Sequence, residues 1–195
     1  MPQLTDRKNR QQTWLSNPQS DHRVHFYQME NDLIDSLGEY VSTGLDKKET
    51  CIVMAKPATI IKLNKKLRAG GVNLSAVLSS GQYIAYDADD LLAQFMRQGV
   101  PDLEEFSHTL GRVMSLATGR GQPIRAYGEM VAILLEQRNM SGLMELENYW
   151  NDLIQSHVFS LYCAYPESPL LDNPKYKHMF SDICGCHHAE NLPAN

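Results

Sequence analysis

The sequence is poor in the features of a membrane protein, a nucleotide hydrolase or a disulfide-stapled secreted domain. No apolar run reaches the ~20 residues of a bilayer-crossing helix, and the first residues carry no signal-peptide core. There is no G-x-x-x-x-G-K-S/T, and no G-x-G-x-x-G that leaves a strand and opens a helix, so nothing cradles a nucleotide phosphate. Gly119-Arg120-Gly121 runs into a strand pattern instead, and no G-x-S-x-G elbow marks a hydrolase serine. Cysteine is scarce: Cys51, Cys163, Cys184 and Cys186 are the four among 195 residues. They are expected to be reduced thiols of a cytoplasmic protein. Positive charge is scattered, and the formal net charge is −5. The one cluster of cations, Lys62, Lys65, Lys66 and Arg68, fits the solvated face of a short helix, so nucleic acid is not an expected partner.

What remains is an ordinary globular composition, 43% hydrophobic and 21% charged, in a chain long enough for one domain with its own core. Residues 1–21 are polar and interrupted by Pro18; they predict a flexible N-terminal arm in which only Trp14 and Leu15 have surface to dock. From residue 22 to 166, short apolar or alternating runs take turns with helical periodicity. Val24–Tyr27, Thr50–Ala55, Tyr83–Tyr86, the stretch from Ile124 and Phe159–Tyr165 predict strands. Helices are predicted from Asn31 to Gly44, Thr59 to Ala69, Leu91 to Arg97, Asp102 to Thr118, through Leu135, and from Ser141 to His157. In the helix from Asp102, His108 falls on the solvent arc. Such alternation predicts an α/β fold, a mostly parallel sheet of about five or more strands with helices on both faces. Residues 167–195 form a C-terminal extension with no assignable pattern.

The chain is organised around Pro123-Ile-Arg-Ala-Tyr-Gly-Glu-Met130. As a strand, this stretch puts Ile124, Ala126 and Gly128 on one face and Arg125, Tyr127 and Glu129 on the other. A buried cation and carboxylate must be satisfied, either by each other as a structural ion pair or by a ligand. Ligands of a parallel sheet bind beyond the carboxyl ends of its strands, and there the pattern gathers Tyr27, Lys56, Asp87, Glu129 and Tyr165. Such a rim could orient a small polar or amphipathic molecule. The one thiol–imidazole combination that can be constructed is Cys163 with His25 on another strand, and a packed, inert Cys163 is the simpler expectation. At the tail, Cys184, Cys186, His187 and His188 are candidate metal ligands. The Cys-x-Cys spacing is tighter than structural zinc sites use, so no metal site and no cofactor are expected.

Taken in order, several pieces resemble the MEDS family, the methanogen/methylotroph sensory domain of the dichloromethane-responsive repressor type. They are His25-Phe-Tyr27, Gly44-Leu45 with Cys51-Ile-Val, Tyr83 to Ala88, Pro123 to Met130, Glu147 to Trp150 with Asn151, and Cys163-Ala-Tyr-Pro166. The resemblance implies a degenerate RecA/KaiC-like fold without its phosphate loop. It also implies a sensory role, with hydrocarbon derivatives as proposed ligands. On that analogy His25, Tyr27, Arg125, Tyr127, Glu129 and Cys163 are the positions to inspect; the strand-edge argument adds Asp87 and Tyr165. Members of the family are commonly fused to DNA-binding or histidine-kinase modules, which the sequence does not contain. The expectation is therefore a non-catalytic, stand-alone sensory or regulatory domain that binds a small molecule. It would signal through a partner such as a histidine kinase or transcription regulator, with a homodimer left open. The competing expectations are a pure protein-interaction module and, further off, a thiol-dependent enzyme.

Overall fold

The structure, a computed structural model, describes residues 21–176 and 178–187. The predicted N-terminal arm, including Trp14 and Leu15, and the candidate ligand His188 lie outside the described residues. Five strands form one parallel sheet: β1 (Asp21–Tyr27), β2 (Thr50–Ala55), β3 (Tyr83–Asp87), β6 (Ile124–Gly128) and β7 (Ser160–Pro166). Their order is β1-β7-β6-β2-β3, so the first and last of the described strands are neighbours. A small antiparallel hairpin, β4 (Met96–Arg97) with β5 (Val100–Pro101), follows the fourth helix. The sequence pattern instead carries that helix through Arg97; positive φ at Gln98 and Gly99 turns the chain back.

Helices cover both faces, which explains why β2 and β6 are buried at every position rather than at alternate ones. One face receives α1 (Glu30–Asp46), α2 (Pro57–Ala69) and α3 (Leu74–Ser79), packed on Cys51, Val53, Ala55, Tyr83, Tyr127, Tyr162 and Ala164. The other receives α4 (Ala88–Phe95), α5 (Leu103–Thr118), α6 (Met130–Glu136) and α7 (Met140–His157), packed on Ile52, Met54, Ala126, Leu161, Cys163 and Tyr165. Each strand thus divides its side chains with period two. Local chemistry sets the boundaries. Pro57 opens α2, where a missing N–H costs nothing, and Asp87, Asp102 and Asn139 accept N–H groups at the starts of α4, α5 and α7.

The tail, in its described residues, is part of the core. α8 (Ser168–Leu171), a 3₁₀ turn at Pro174–Tyr176 and α9 (Met179–Cys186) bring Leu170, Met179 and Ile183 into the larger apolar cluster. Gly44 does not close α1 but lies inside it; a Cβ there would meet Cys51 Sγ at 2.7 Å and Arg125 Cδ at 2.9 Å. Among the described residues, no helix is long and apolar enough to cross a membrane.

Candidate functional site

At the carboxyl edge of the sheet the chain places Glu129, the residue after β6 and the N-cap of α6. Its carboxylate is buried and accepts two hydrogen bonds from the start of α2, the Lys56 N–H at 2.8 Å and the Thr59 hydroxyl at 3.0 Å. One side chain therefore ties together the N-termini of two helices, where the helix dipole favours a negative group. Burial pushes the Glu129 carboxyl up, and the Lys56 amide and Thr59 hydroxyl pull it partly back. Lys56 adds an outer link from its Nζ to Glu136 at 2.5 Å. Tyr27, half-buried at the end of β1, feels the same carboxylate: burial first, then Glu129, raise its phenol.

Behind this edge lies Tyr127, fully buried, its hydroxyl without a hydrogen-bond partner among the described residues. Its ring centroid is 5.5 Å from that of Tyr162. A buried hydroxyl left unpaired costs about 1–3 kcal/mol. Burial, then Glu129, pushes its ionisation far above the usual phenol range, so it stays a neutral donor. His25 joins the same face of the sheet, with Nδ1 2.5 Å from the Tyr162 hydroxyl and 3.1 Å from Ser36 Oγ on α1.

The remaining predicted residues go elsewhere. Arg125 does not meet Glu129. Its Nε donates to Glu49 Oε2 at 2.5 Å, and its guanidinium lies 4.6 Å from the centroid of the Tyr40 ring. Both partners are buried. Arg125 and Glu129 are four positions apart, about 13 Å at the usual rise. The pair therefore belongs to the amino end of β6, not to the strand-end rim. Asp87 is a helix cap, accepting from the amides of Asp89 at 2.9 Å and Asp90 at 3.4 Å.

Cys163 and Tyr165 point to the opposite face of the sheet from His25, because Cys163 pairs in register with Val24. The constructed Cys163–His25 couple is thus not formed. Its place is taken by His22, whose Nε2 lies 3.4 Å from Cys163 Sγ. Burial raises the Cys163 thiol well above its ordinary range, the opposite of what an activated nucleophile needs. Around this thiol, Glu147 of α7 and His187 after α9 complete a buried polar cluster. Glu147 Oε2 is 3.3 Å from His22 Nε2, its Oε1 is 3.6 Å from His187 Nε2, and the Tyr165 hydroxyl donates to Oε1. Burial raises the Glu147 carboxyl; His22 and the Tyr165 hydroxyl lower it in part. Among the described tail ligands, His187 alone enters this cluster; Cys184 and Cys186 remain half-exposed.

Sequence reasoning missed His22, Glu49 and Glu147. Glu147 left a signal: it shares an apolar stripe with Leu143, Leu146, Trp150 and Ile154, where a carboxylate is out of place. Glu49, in a loop, and His22, at the start of a strand, left none.

The fold and these buried polar groups define a parallel α/β domain with no phosphate loop. A search of curated proteins returns no match. The model of the MEDS family, the methanogen/methylotroph, DcmR sensory domain, matches residues 21–187. The chain belongs to this family of sensory domains, and the match extends through α9, beyond the boundary at residue 166 drawn from the sequence.

Proposed function

We propose that the domain is a cytoplasmic, non-catalytic sensor that takes a small molecule, in the class of hydrocarbon derivatives bearing one polar group, at the carboxyl edge of the sheet. The observation that carries the reading is the Glu129 strap beside the unpartnered Tyr127 hydroxyl. A ligand whose polar group engages Tyr127 gains a hydrogen bond that the protein forgoes on its own. Competition for Glu129 loosens its hold on the start of α2. The two arrangements of α2 against α6 are then the states between which ligand affinity differs, as any ligand-driven shift requires. A signalling partner, a histidine kinase or transcription regulator, reads that difference. Family membership supports the sensory part of this account.

The test is thermal shift of the wild type and of Tyr127→Phe against a panel of small halogenated and alkylated compounds. Wild type is expected to gain about 2.7 kcal/mol at a concentration 100 times the dissociation constant. Tyr127→Phe should be more stable than wild type without ligand, by about 1 kcal/mol or more, and respond to none of the panel. If no compound stabilises wild type while the apo protein holds a signalling partner tightly, the domain is an interaction module and the receptor reading fails.

A further inference from the structure

We propose that His22, Glu147, Cys163 and His187 bind one divalent transition-metal ion of the zinc class, and that this ion fastens the C-terminal helix α9 to β1, β7 and α7. The four donor atoms all lie within 4.8 Å of one another, and all four residues are buried. His22 Nε2 lies 3.3 Å from Glu147 Oε2 and 3.4 Å from Cys163 Sγ, and His187 Nε2 lies 3.6 Å from the other carboxylate oxygen, Oε1. A tetrahedral zinc site with the usual bond lengths has edges of about 3.3–3.7 Å, so the two contacts of His22 are already at ligand spacing, and His187 approaches the same carboxylate through its other oxygen.

The tautomers are set from outside the cluster. Asn151 donates its Nδ2 to the Cys186 carbonyl at 3.1 Å, which turns its Oδ1 towards His22 Nδ1 at 2.8 Å. His22 therefore carries its proton on Nδ1 and turns a lone pair on Nε2 inward. His187 is held the same way: its Nδ1 donates to the Ile183 carbonyl at 2.6 Å. An outer partner on the second ring nitrogen is the usual arrangement of a metal-bound histidine. Two imidazole lone pairs then face the two oxygens of one carboxylate, with a thiol beside them, away from water. A single proton on Glu147 relieves one of these oppositions. A divalent cation relieves all of them, and on binding the Cys163 thiol proton and any proton on Glu147 leave to solvent.

The donor set selects the metal class. Imidazole and thiolate favour zinc, cobalt and iron over the hard cations magnesium and calcium. Four protein ligands fill a tetrahedron and leave no open position, which marks a structural site rather than a catalytic one. The ligands come from β1, α7, β7 and the residue after α9, so the ion closes the two ends of the described residues against each other. The site is independent of the Glu129 strap, and either can fail alone.

The full chain, stripped with a chelator, is titrated with Co(II) and then Zn(II). The expected result is one ion per chain. Cobalt should give the intense visible bands of a tetrahedral centre together with a thiolate-to-cobalt charge-transfer band, and zinc should displace it. Cys163→Ala should lose the charge-transfer band. His187→Ala, just past α9 and thus the variant least disruptive to the sheet, should lose tight binding. Asn151→Ala should weaken binding about 10–100-fold, while Cys184→Ala and Cys186→Ala leave the spectrum unchanged. Overturning results are sub-stoichiometric metal in wild type, an octahedral cobalt spectrum without a thiolate band, or binding that survives His187→Ala.

Discussion

Arg125 is held as a structural cation, and removing it isolates how much the fold depends on that. In Arg125→Met the Glu49 carboxylate keeps its buried position and loses its 2.5 Å partner. Breaking a buried ion pair from one side costs about 3–5 kcal/mol, because the surviving charge is left without compensation. Loss of the contact with the Tyr40 ring adds about 0.5–2 kcal/mol. Against a total stability of about 5–15 kcal/mol for a domain, the variant should sit near the edge of folding. At this size the ion-pair part alone corresponds to a fall in Tm of about 6–20 °C. The second arm of the experiment is Arg125→Met with Glu49→Leu. Replacing both charges by apolar groups removes the stranded carboxylate, so the double variant should recover most of what the single one loses. Urea unfolding followed by circular dichroism supplies all four corners of the cycle. A single variant within about 0.5 kcal/mol of wild type, the range of a surface change, would refute the argument. So would a double variant no more stable than the single.

Three further outcomes follow from other parts of the molecule. Burial holds Glu129 above its unfolded value, so the stability tied to its protonated form is complete at acid pH, below the unfolded pKa. It is lost as pH rises through the folded pKa. The urea midpoint of wild type should therefore fall across that window relative to Glu129→Gln; parallel profiles would show that the carboxylate is not strained. Val158 ends α7 in the left-handed region at φ 43° and is exposed. Val158→Gly should then gain about 1 kcal/mol in denaturant midpoint, because only glycine takes that conformation freely; a loss would mean the valine side chain packs. Burial pushes the Cys51 thiol up to about 12 and raises Cys163 well above its ordinary range, while Cys184 and Cys186 are half-exposed. Alkylation at neutral pH, read by peptide mass mapping, should mark only Cys184 and Cys186 until denaturant is added. Rapid labelling of Cys163 in the folded protein would revive the thiol-enzyme reading.

The sheet was legible because its strands are short apolar runs bounded by Gly, Pro and Asp, and because helical periodicity fills the gaps between them. The hairpin at Met96–Pro101 escaped because two-residue strands have no period to detect. α9 escaped for a different reason. Its eight residues include two cysteines and a glycine, and only Met179 and Ile183 are buried, too sparse a stripe to stand out. Of the candidate site, Tyr127 and Glu129 could be placed at a strand end from alternation alone. The partners of the charged groups could not. Arg125 finds Glu49 from 76 positions away, and Glu129 finds Lys56 and Thr59 from 73 and 70. Strand order decides those pairings, and alternation within a segment carries no information about order.

That order also explains why costly groups persist in the interior. With β1 beside β7, His22 meets Cys163 across 141 residues of sequence, and His25 meets Tyr162 across 137. The two contacts lie on opposite faces of the same strand pair. Sliding β1 by one residue would exchange the faces. His22 would then turn towards α1 and leave Glu147, fully buried, without the imidazole at 3.3 Å. His25 would leave Ser36 and the Tyr162 hydroxyl for an apolar wall of Leu161 and Tyr165. An all-apolar edge pair would tolerate such a slip at small cost, because one apolar neighbour serves about as well as another. Here the slip strands at least one buried charge or imidazole on each face, at several kcal/mol apiece. The polar groups therefore act on the alternatives to this fold more than on the fold itself, and they do so where β1 and β7 must find each other.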